Sequence, residues 1–256
     1  MVVRFEMRDA IGLITLAKPD RHNALACDLV EAMVQVLQGT EAEQAKAIVI
    51  AGEGRSFCAG ADIRDLLNAG WMTPNPKGRT PMDLFEALDT DTRVTIAAVH
   101  GLVLGGGFEL TLCCDLVVSA SDATFSLPEV GHGVVPNTGV TRLTQMVGPR
   151  RALDLILTRR RITADEANAL GLITRVVPAS DVVDHALKLA ADITAAAPPG
   201  ALAVVKQAVR CTAPLDWAQV RSMLKHIPSE EWTEGLSAFQ QKRRPDYENF
   251  WRKRNA

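Results

Sequence analysis

The stretch that decides the fold lies at residues 95–119 and reads TIAAVHGLVLGGGFELTLCCDLVVS. Its first five residues form a short apolar run with β-branched side chains, which predicts a buried strand. A glycine-rich turn spans residues 101–107, and the segment from Phe108 to Cys114 predicts a helix before another strand at Leu116 to Ser119. Parallel strands need crossover connections, so this alternation predicts a βαβ-type architecture with functional loops at the strand ends.

A similar order of elements precedes this stretch. The apolar segments Val2 to Met7 and Gly12 to Leu16 predict a hairpin that opens the fold. Apolar side chains then recur at helical spacing from Leu25 until Gly39, which predicts an amphipathic helix. A buried strand at Ala47 to Ala51 leads into a loop punctuated by glycines as far as Gly60. The recurrence of strand, turn and helix in both halves predicts a repeated α/β unit.

The C-terminal part of the chain has a different pattern. Strand signals stop near Ala190, and helices are predicted at about residues 200–212, 216–238 and 246–254 after the helix-breaking pair Pro198-Pro199. Its large apolar residues are more than a lone helix pair can bury, and they include Trp217, Met223, Leu224, Trp232, Leu236 and Phe239. We therefore expect this region to pack on another subunit or back on the core, and we divide the chain into a core at 1–190 and a helical region at 191–256.

Composition excludes several classes of protein. The 28 basic and 30 acidic residues nearly cancel, so nothing in the charge balance predicts a nucleic-acid or membrane-surface partner. No run reaches the roughly 18 apolar residues of a membrane span, and the N-terminus lacks the apolar core of a signal peptide. The five cysteines form no C-x-x-C pair and leave one over, which favours a reducing compartment. We expect a cytoplasmic protein, although a matrix enzyme with its transit peptide removed would show the same composition.

Three clusters of basic residues stand out at 159–161, 242–244 and 252–254. Solvated helix ends or turns explain such clusters most simply, and a docking site for phosphate is the alternative. Between Gly70 and Pro81 the chain has turn chemistry without periodicity, which predicts a mobile loop. Such a loop either shapes a substrate pocket or is a passive part of the surface.

Two glycine-containing loops each lead into a predicted helix. One runs from Phe57 through Gly60 into a helix that starts near Asp62, and the other runs from Leu104 through the glycine triplet to Glu109. Unpaired N–H groups at a helix start can donate to an anion or to a polarised carbonyl oxygen. Two such donors on one oxygen would form an oxyanion hole, whereas a simple helix-capping turn explains either loop taken alone.

Two carboxylates are the candidates for acid-base chemistry. Glu109 falls in the first turn of its predicted helix, where the helix dipole favours a negative charge, so capping alone explains it. Glu129 is a lone acid in an apolar and glycine-rich stretch, where a surface role explains it less well. If the two faced one pocket, desolvation and mutual repulsion would separate their pKa values and supply a general acid and a general base.

The order and spacing of these motifs resemble the enoyl-CoA hydratase/isomerase, or crotonase, superfamily over essentially the whole chain. The matching segments are Asn23-Ala24-Leu25, Ala59-Gly60-Ala61-Asp62, Ile96-Ala97-Ala98-Val99, Gly105-Gly106-Gly107 with Glu109, Pro128-Glu129, Gly148, Ala164 to Leu172 and Ala238 to Arg243. The resemblance implies a spiral of repeated ββα units with a C-terminal helical oligomerisation region. It also implies that the chain assembles as a homotrimer or a dimer of trimers.

The resemblance implies a role for each catalytic candidate. The backbone N–H groups of Ala61 and Gly106 would hold the thioester oxygen, Glu109 would deprotonate water for attack at Cβ, and Glu129 would protonate Cα. Relatives that only isomerise a double bond commonly keep the second glutamate alone, so the presence of both indicates hydration of 2-enoyl-CoA. The residues implied in coenzyme A binding are Arg21, His22, Ala59, Ala61, Asp62, Ile63 and Arg64, with Phe239, Lys242 and Tyr247 from a neighbouring subunit. No metal and no cofactor besides the coenzyme A of the substrate is implied.

Some positions depart from the family pattern or leave alternatives open. The loop at residues 136–143 is one residue shorter than in many hydratases and borders the acyl pocket, while Thr95 and His100 replace the usual proline and asparagine. The five histidines lack metal-ligand spacing, and only His132 is a candidate for lining the pocket. Double-bond isomerisation, retro-aldol cleavage and C–C hydrolysis remain alternative reactions of a CoA thioester. A non-catalytic scaffold that touches RNA is the alternative of a different class.

Overall fold

The strands form two sheets in the computed structural model, which describes residues 1–69, 71, 78–210 and 228–254. In chain order they are β1 (Val3–Arg8), β2 (Ile11–Leu16), β3 (Ala47–Gly52), β4 (Ser56–Cys58), β5 (Val94–Val99), β6 (Leu102–Leu104), β7 (Leu116–Ala120), β8 (Thr124–Ser126), β9 (Ile162–Thr163) and β10 (Arg175–Val177). The larger sheet has the order β1-β2-β3-β5-β7-β10, and the smaller sheet has the order β4-β6-β8-β9. Only the β1–β2 and β8–β9 pairs among these described strands are antiparallel.

The helices follow strand pairs in a repeating order. They are α1 (Cys27–Leu37), α2 (Thr40–Glu43), α3 (Ile63–Asn68), α4 (Pro81–Thr90), α5 (Gly106–Cys113), α6 (Asn137–Val147), α7 (Pro149–Thr158), α8 (Ala164–Ala169), α9 (Val182–Ala196), α10 (Pro199–Arg210), α11 (Ser229–Gln240) and α12 (Glu248–Arg254). The pairs β3–β4, β5–β6 and β7–β8 each place one strand in the larger sheet and one in the smaller. Helices α3, α5 and α6 follow these pairs. The predicted repetition of ββα units is confirmed.

The larger sheet is buried on both faces, as the apolar runs in its strands predict. On β3, Ile48 and Ile50 face one apolar cluster, whereas Ala47, Val49 and Ala51 face a second cluster that includes α9. The predicted hairpin is confirmed as the β1–β2 pair, and the strands predicted at Ala47, Thr95 and Leu116 are confirmed as β3, β5 and β7. Because both faces are covered, the loops at the strand ends remain the accessible positions for a site.

One helix is not revealed by the periodicity of the sequence. Helix α4 begins at Pro81, so the last residue of the predicted 70–81 loop is helical. Its start is fixed by a capping box, in which the Thr80 N–H donates to Asp83 at 2.6 Å. The predicted mobility of the loop concerns Gly70 and residues 72–77, which lie outside the described residues.

Part of the C-terminal region packs back on the core. The Trp251 indole N–H donates to the Thr194 carbonyl at 3.0 Å, and Lys46 lies 5.5 Å from the Trp251 ring centroid. The break predicted at Pro198-Pro199 is confirmed, since α9 ends at Ala196 and α10 begins at Pro199. Residues 211–227 lie outside the described residues, as do the side chains of Trp232 and Phe239. Oligomerisation and the division at residue 190 stay predictions, and α9 continues through that division.

Helix α10 is fixed to the core by a buried ion cluster around Asp115. The carboxylate accepts from Lys206 Nζ and Arg210 Nη2, each at 2.8 Å, and from the Thr95 N–H at 2.8 Å. Burial lowers the pKa of Lys206, which shows that its environment disfavours an unpaired cation.

In the described part of the chain no helix is long and apolar enough to cross a membrane.

We predict that Asp115→Ala lowers the free energy of unfolding by about 3 kcal/mol, because Lys206 would be left as a buried charge without its partner. Urea denaturation at pH 7 measures the change. The matched control is Asp192→Ala, which breaks the exposed Lys188–Asp192 pair and is expected to cost less than about 0.5 kcal/mol. Equal, small losses for both variants would contradict the role of the cluster.

Candidate active site

The two glycine loops meet at their backbones. The Leu25 N–H donates to the Gly60 carbonyl at 2.7 Å, and the Asp62 N–H donates to the Leu25 carbonyl at 2.9 Å, so the first loop is held against the segment before α1. Gly60 has φ +95°, and a Cβ placed on it would lie 2.9 Å from the Leu104 carbonyl oxygen and 3.2 Å from Gly106 N. Only glycine permits this approach of the two loops.

This approach brings together the two predicted oxyanion donors. A Cβ on Gly106 would lie 3.5 Å from Ala61 N. Gly106 is the first residue of α5, and Ala61 lies two residues before α3, so neither N–H has a partner inside a helix. Among the described residues, neither group donates to a backbone carbonyl of a turn or loop. The pair therefore retains its capacity to bind one oxygen.

A cavity of about 440 Å³ opens beside these donors. The four predicted catalytic residues, Ala61, Gly106, Glu109 and Glu129, all line it. Ala59 and Ile63, predicted to contact coenzyme A, are also in its wall, as is His132. The further lining residues are Gly60, Leu66, Trp71, Thr80, Pro81, Met82, Gly105, Pro128, Val134, Val135 and Asn137. Because Trp71, Thr80 and Pro81 belong to the predicted 70–81 segment, that segment shapes the pocket.

Glu109 is a buried carboxylate with defined hydrogen bonds. Its side chain is on α5, and the residue is 3% exposed. Its Oε1 atom accepts from the Gly139 N–H at 2.8 Å and from the Thr138 hydroxyl at 3.3 Å, at the start of α6. Burial raises the pKa of Glu109, while these hydrogen bonds oppose the rise. The carboxylate thus sits at a helix N-terminus, where the helix dipole favours its charged form.

Glu129 has a different environment. It begins a short 3₁₀ helix at Glu129–His132, and its Oε2 atom is buried without a hydrogen-bond partner among the described residues. Desolvation, together with a smaller contribution from repulsion by Glu109, raises the pKa of Glu129 to about 7. A protonated carboxyl is therefore accessible at neutral pH, beside a second carboxylate whose Oε1 atom accepts two hydrogen bonds.

The residues predicted to hold coenzyme A fall into two groups. Arg21 forms an ion pair with Asp62 at 3.0 Å, and the Ala59 N–H donates to the His22 carbonyl at 3.0 Å. Asp62 caps α3 by accepting from the Arg64 N–H at 2.9 Å. These contacts place the first group along one edge of the site.

The second group lies in the C-terminal region of the same chain. Lys242 has no hydrogen bond or ion pair with the 59–64 segment within the described residues, and the side chain of Phe239 lies outside them. Tyr247 packs beside Phe250, with a distance of 6.3 Å between ring centroids. Their predicted role in a neighbouring subunit's site remains a prediction.

The buried cysteines and the metal-ligating residue types do not add to the site. Burial raises the pKa of both the Cys58 and the Cys113 thiol to about 12, which makes these thiols poor nucleophiles. No group of three or more potential metal-ligating side chains occurs within the described ranges. The predicted 136–143 loop is instead mostly helix, since α6 begins at Asn137.

The contribution of α6 to the site could not be predicted from local patterns. Its Thr138 and Gly139 contact Glu109 across 29 and 30 residues of sequence, so no short-range signal marks them. By contrast, Thr80, Pro81 and Met82 could have been found, because Thr80-Pro81-Met82-Asp83 is a local capping signal before the apolar Leu84 and Phe85.

The enoyl-CoA hydratase/isomerase family model matches residues 6–250. The chain belongs to the enoyl-CoA hydratase/isomerase family. Over 255 residues it is 34% identical to a probable enoyl-CoA hydratase of Rhizobium meliloti strain 1021, covering 95% of this chain and 96% of that protein. Over 242 residues it is 36% identical to the 2,3-dehydroadipyl-CoA hydratase of Escherichia coli K12, covering 92% and 94%.

Solved structures agree with the family assignment. The fold superposes on an enoyl-CoA hydratase from Bacillus anthracis with a TM-score of 0.85 and 28% identity, covering 96% of this chain and 99% of that one. The expected crotonase-type α/β fold is thereby confirmed.

We predict that Glu129→Gln stabilises the protein at pH 8, because it removes a carboxylate whose ionisation is disfavoured in the folded state. The folded pKa of about 7 lies above the ordinary 4.5, so the contribution of Glu129 to stability is fully present below pH 4.5 and is lost as the pH rises through about 7. At about 1.4 kcal/mol per pKa unit, the difference between the proteins approaches roughly 3 kcal/mol above pH 7. Urea denaturation from pH 4.5 to 8 measures the free energy of unfolding of both proteins. A difference between them that does not change with pH would contradict the shifted pKa.

Proposed function

We propose that the protein hydrates 2-enoyl-CoA thioesters to 3-hydroxyacyl-CoA. The observation that carries this proposal is that the buried Glu109 and the half-buried Glu129 line the same cavity as two free backbone donors. Membership in the family implies an acyl-CoA substrate. Addition of water across a conjugated double bond requires the three functions that this cavity offers: oxyanion stabilisation, a base and an acid.

The first function falls to the two backbone donors. With the thioester carbonyl oxygen between the N–H groups of Ala61 and Gly106, attack at Cβ moves negative charge onto that oxygen. The donors are fixed by the packing of the two loops, so they need no rearrangement when the charge develops. This preorganisation stabilises the enolate more than the ground-state carbonyl, which lowers the barrier.

The second and third functions divide between the glutamates. Glu109, acting as the ionised carboxylate that accepts from Gly139 and Thr138, takes a proton from water as the oxygen bonds to Cβ. Glu129, protonated because its carboxyl is desolvated, gives its proton to Cα. In one turnover the hydroxyl of the product comes from water and the hydrogen on Cα comes from Glu129. The proton that Glu109 took from water must then pass to Glu129 to restore the enzyme.

Coenzyme A is proposed to bind along the edge of the site that is formed by Arg21, His22, Asp62 and Arg64. This edge continues directly from Ala59 and Ile63 in the cavity wall. In this proposal Phe239 and Lys242 of a neighbouring subunit, in a homotrimer or a dimer of trimers, complete the coenzyme A binding site. The proposed reaction uses no metal and no redox cofactor, since water is the only co-substrate.

We predict that Glu109→Gln and Glu129→Gln each lower kcat for hydration by roughly 100-fold, the usual effect of removing a general acid or base. The assay follows loss of the conjugated thioester with short and medium 2-enoyl-CoA substrates. Glu41→Gln, an exposed substitution in α2, serves as the control and should leave kcat unchanged.

Three results would contradict this mechanism or the proposed function. Hydration that survives both substitutions would exclude the two-carboxylate mechanism. Isomerisation, retro-aldol cleavage or C–C hydrolysis without hydration would assign another reaction of the family. Salt-dependent RNA binding without any turnover of CoA thioesters would instead support a scaffold role.

We also predict that kcat for hydration falls as the pH rises through about 7, because Glu129 then loses the proton that it must donate. A pH profile of kcat between pH 5 and 9 measures this limb. In Glu129→Gln the residual activity should lack the limb, since glutamine does not titrate. A profile that is flat from pH 6 to 9 in the wild type would contradict the assignment of Glu129 as the acid.

A further inference from the structure

Arg159 has a backbone conformation that its side chain disfavours. It ends α7 with φ +57° and ψ +18°, in the left-handed region. Glycine is the usual residue at such a helix end, because a Cβ crowds the backbone there. An arginine in this conformation carries strain, and strained residues persist where the surrounding structure requires them.

The backbone of Arg159 holds the strand that leads to Glu129. The Ser126 hydroxyl donates to the Arg159 carbonyl at 2.9 Å. Ser126 is the last residue of β8 and is buried, three residues before Glu129. The left-handed conformation at Arg159 thus turns its carbonyl toward the entry of the catalytic segment.

The side chain of Arg159 covers the other end of that segment. A Cβ on Gly131 would lie 2.3 Å from Arg159 Nη1 and 2.9 Å from its Cδ. Gly131 does not have a positive φ, so its backbone alone would accept alanine. The missing side chain at Gly131 therefore makes room for the arginine, directly in the turn that contains Glu129.

Ion pairing does not account for this placement. Among the described residues Arg159 has no carboxylate partner, whereas its neighbour Arg160 pairs with Asp154 at 2.8 Å and with Glu166 at 2.7 Å. The contact of Arg159 is with the backbone of the turn. Its carbonyl and its guanidinium hold the two ends of a segment only six residues long, from Ser126 to Gly131.

We propose that Arg159 is a positioning residue for Glu129. The carboxyl of Glu129 needs such support, because its Oε2 atom has no hydrogen-bond partner among the described residues. Its direction therefore depends on the turn, and the turn depends on Arg159. The role rests on the proposed function, in which Glu129 must reach Cα of the substrate.

The principal test is Arg159→Gly. Glycine readily adopts the left-handed backbone conformation, and the substitution removes the guanidinium that lies against Gly131. The expected result is a kcat about tenfold lower for 2-enoyl-CoA hydration, with KM within about twofold, because misplacing a reacting group by a fraction of an ångström has effects of this size. The melting temperature should not fall and should rise by up to about 3 °C as strain is relieved. A residue with a merely structural role would not combine a slower enzyme with an equally or more stable fold.

Two further variants separate the loss of the Arg159 guanidinium from the relief of backbone strain. Asp9→Gly relieves the same left-handed conformation, φ +55°, in the remote β1–β2 turn, and it should leave kcat unchanged. Gly131→Ala should lower kcat when Arg159 is present, because the new Cβ displaces the guanidinium. In the Arg159→Gly background the same alanine should have little further effect, which makes the pair a double-mutant cycle.

The outcomes distinguish this inference from the proposed function. A wild type that hydrates no enoyl-CoA contradicts the proposed function. The positioning role of Arg159 is then tested by ¹³C NMR titration of the Glu129 carboxyl. The signal of this carboxyl is assigned by its absence in Glu129→Gln. Arg159→Gly should lower that pKa from about 7 toward 4.5, because a loosened turn admits water, while Glu109 and His132, which line the same cavity, stay in place. Unchanged kcat in an active enzyme, or unchanged titration of Glu129 in either case, overturns the inference.

Discussion

The site depends on the contact between two backbone loops, and the glycines at that contact serve different purposes. Gly60 allows the first loop to reach Leu104 and Gly106. A Cβ on Gly107 would lie 2.3 Å from the Cys58 carbonyl oxygen, so this glycine lets α5 pack against β4. Gly105 has φ +52° and ψ −128°, a conformation open to glycine, and its missing Cβ leaves space for Glu129. One triplet therefore brings the donors together and admits the acid.

The same packing determines the electrostatics. Close contact of the loops excludes water, which strengthens the backbone donors and raises the pKa of both carboxylates. What separates the two groups is hydrogen bonding: α6 supplies donors to Glu109, whereas Glu129 has an oxygen without any partner among the described residues. A single desolvated cavity thus holds one carboxylate whose hydrogen bonds offset part of its desolvation and another whose pKa is raised to about 7.

The sequence allowed prediction of the parts of this arrangement that have local signals. The hairpin, the buried strands and the start of α5 follow from periodicity and glycine. The glycine loops indicated helix starts with unpaired N–H groups, and the resemblance to the family singled out those of Ala61 and Gly106. Interactions between distant segments had no such signal. Gly139 donates to Glu109 across 30 residues, and Arg159 contacts the turn at Gly131 across 28. These contacts exist only after the repeats have wound into a spiral, so periodicity could not indicate them.

The cavity concentrates features that cost folding stability. Among the described residues, the two buried side-chain atoms without hydrogen-bond partners are Trp71 Nε1 and Glu129 Oε2, and both residues line it. An unsatisfied buried polar atom typically costs about 1–3 kcal/mol, and the left-handed Arg159 adds strain nearby. Packing elsewhere, such as the fully buried strands of the larger sheet, leaves few comparable defects. Because a proton donor must keep its proton at neutral pH, satisfying Glu129 with a cationic partner would stabilise the fold and lower the very pKa that the proposed chemistry requires.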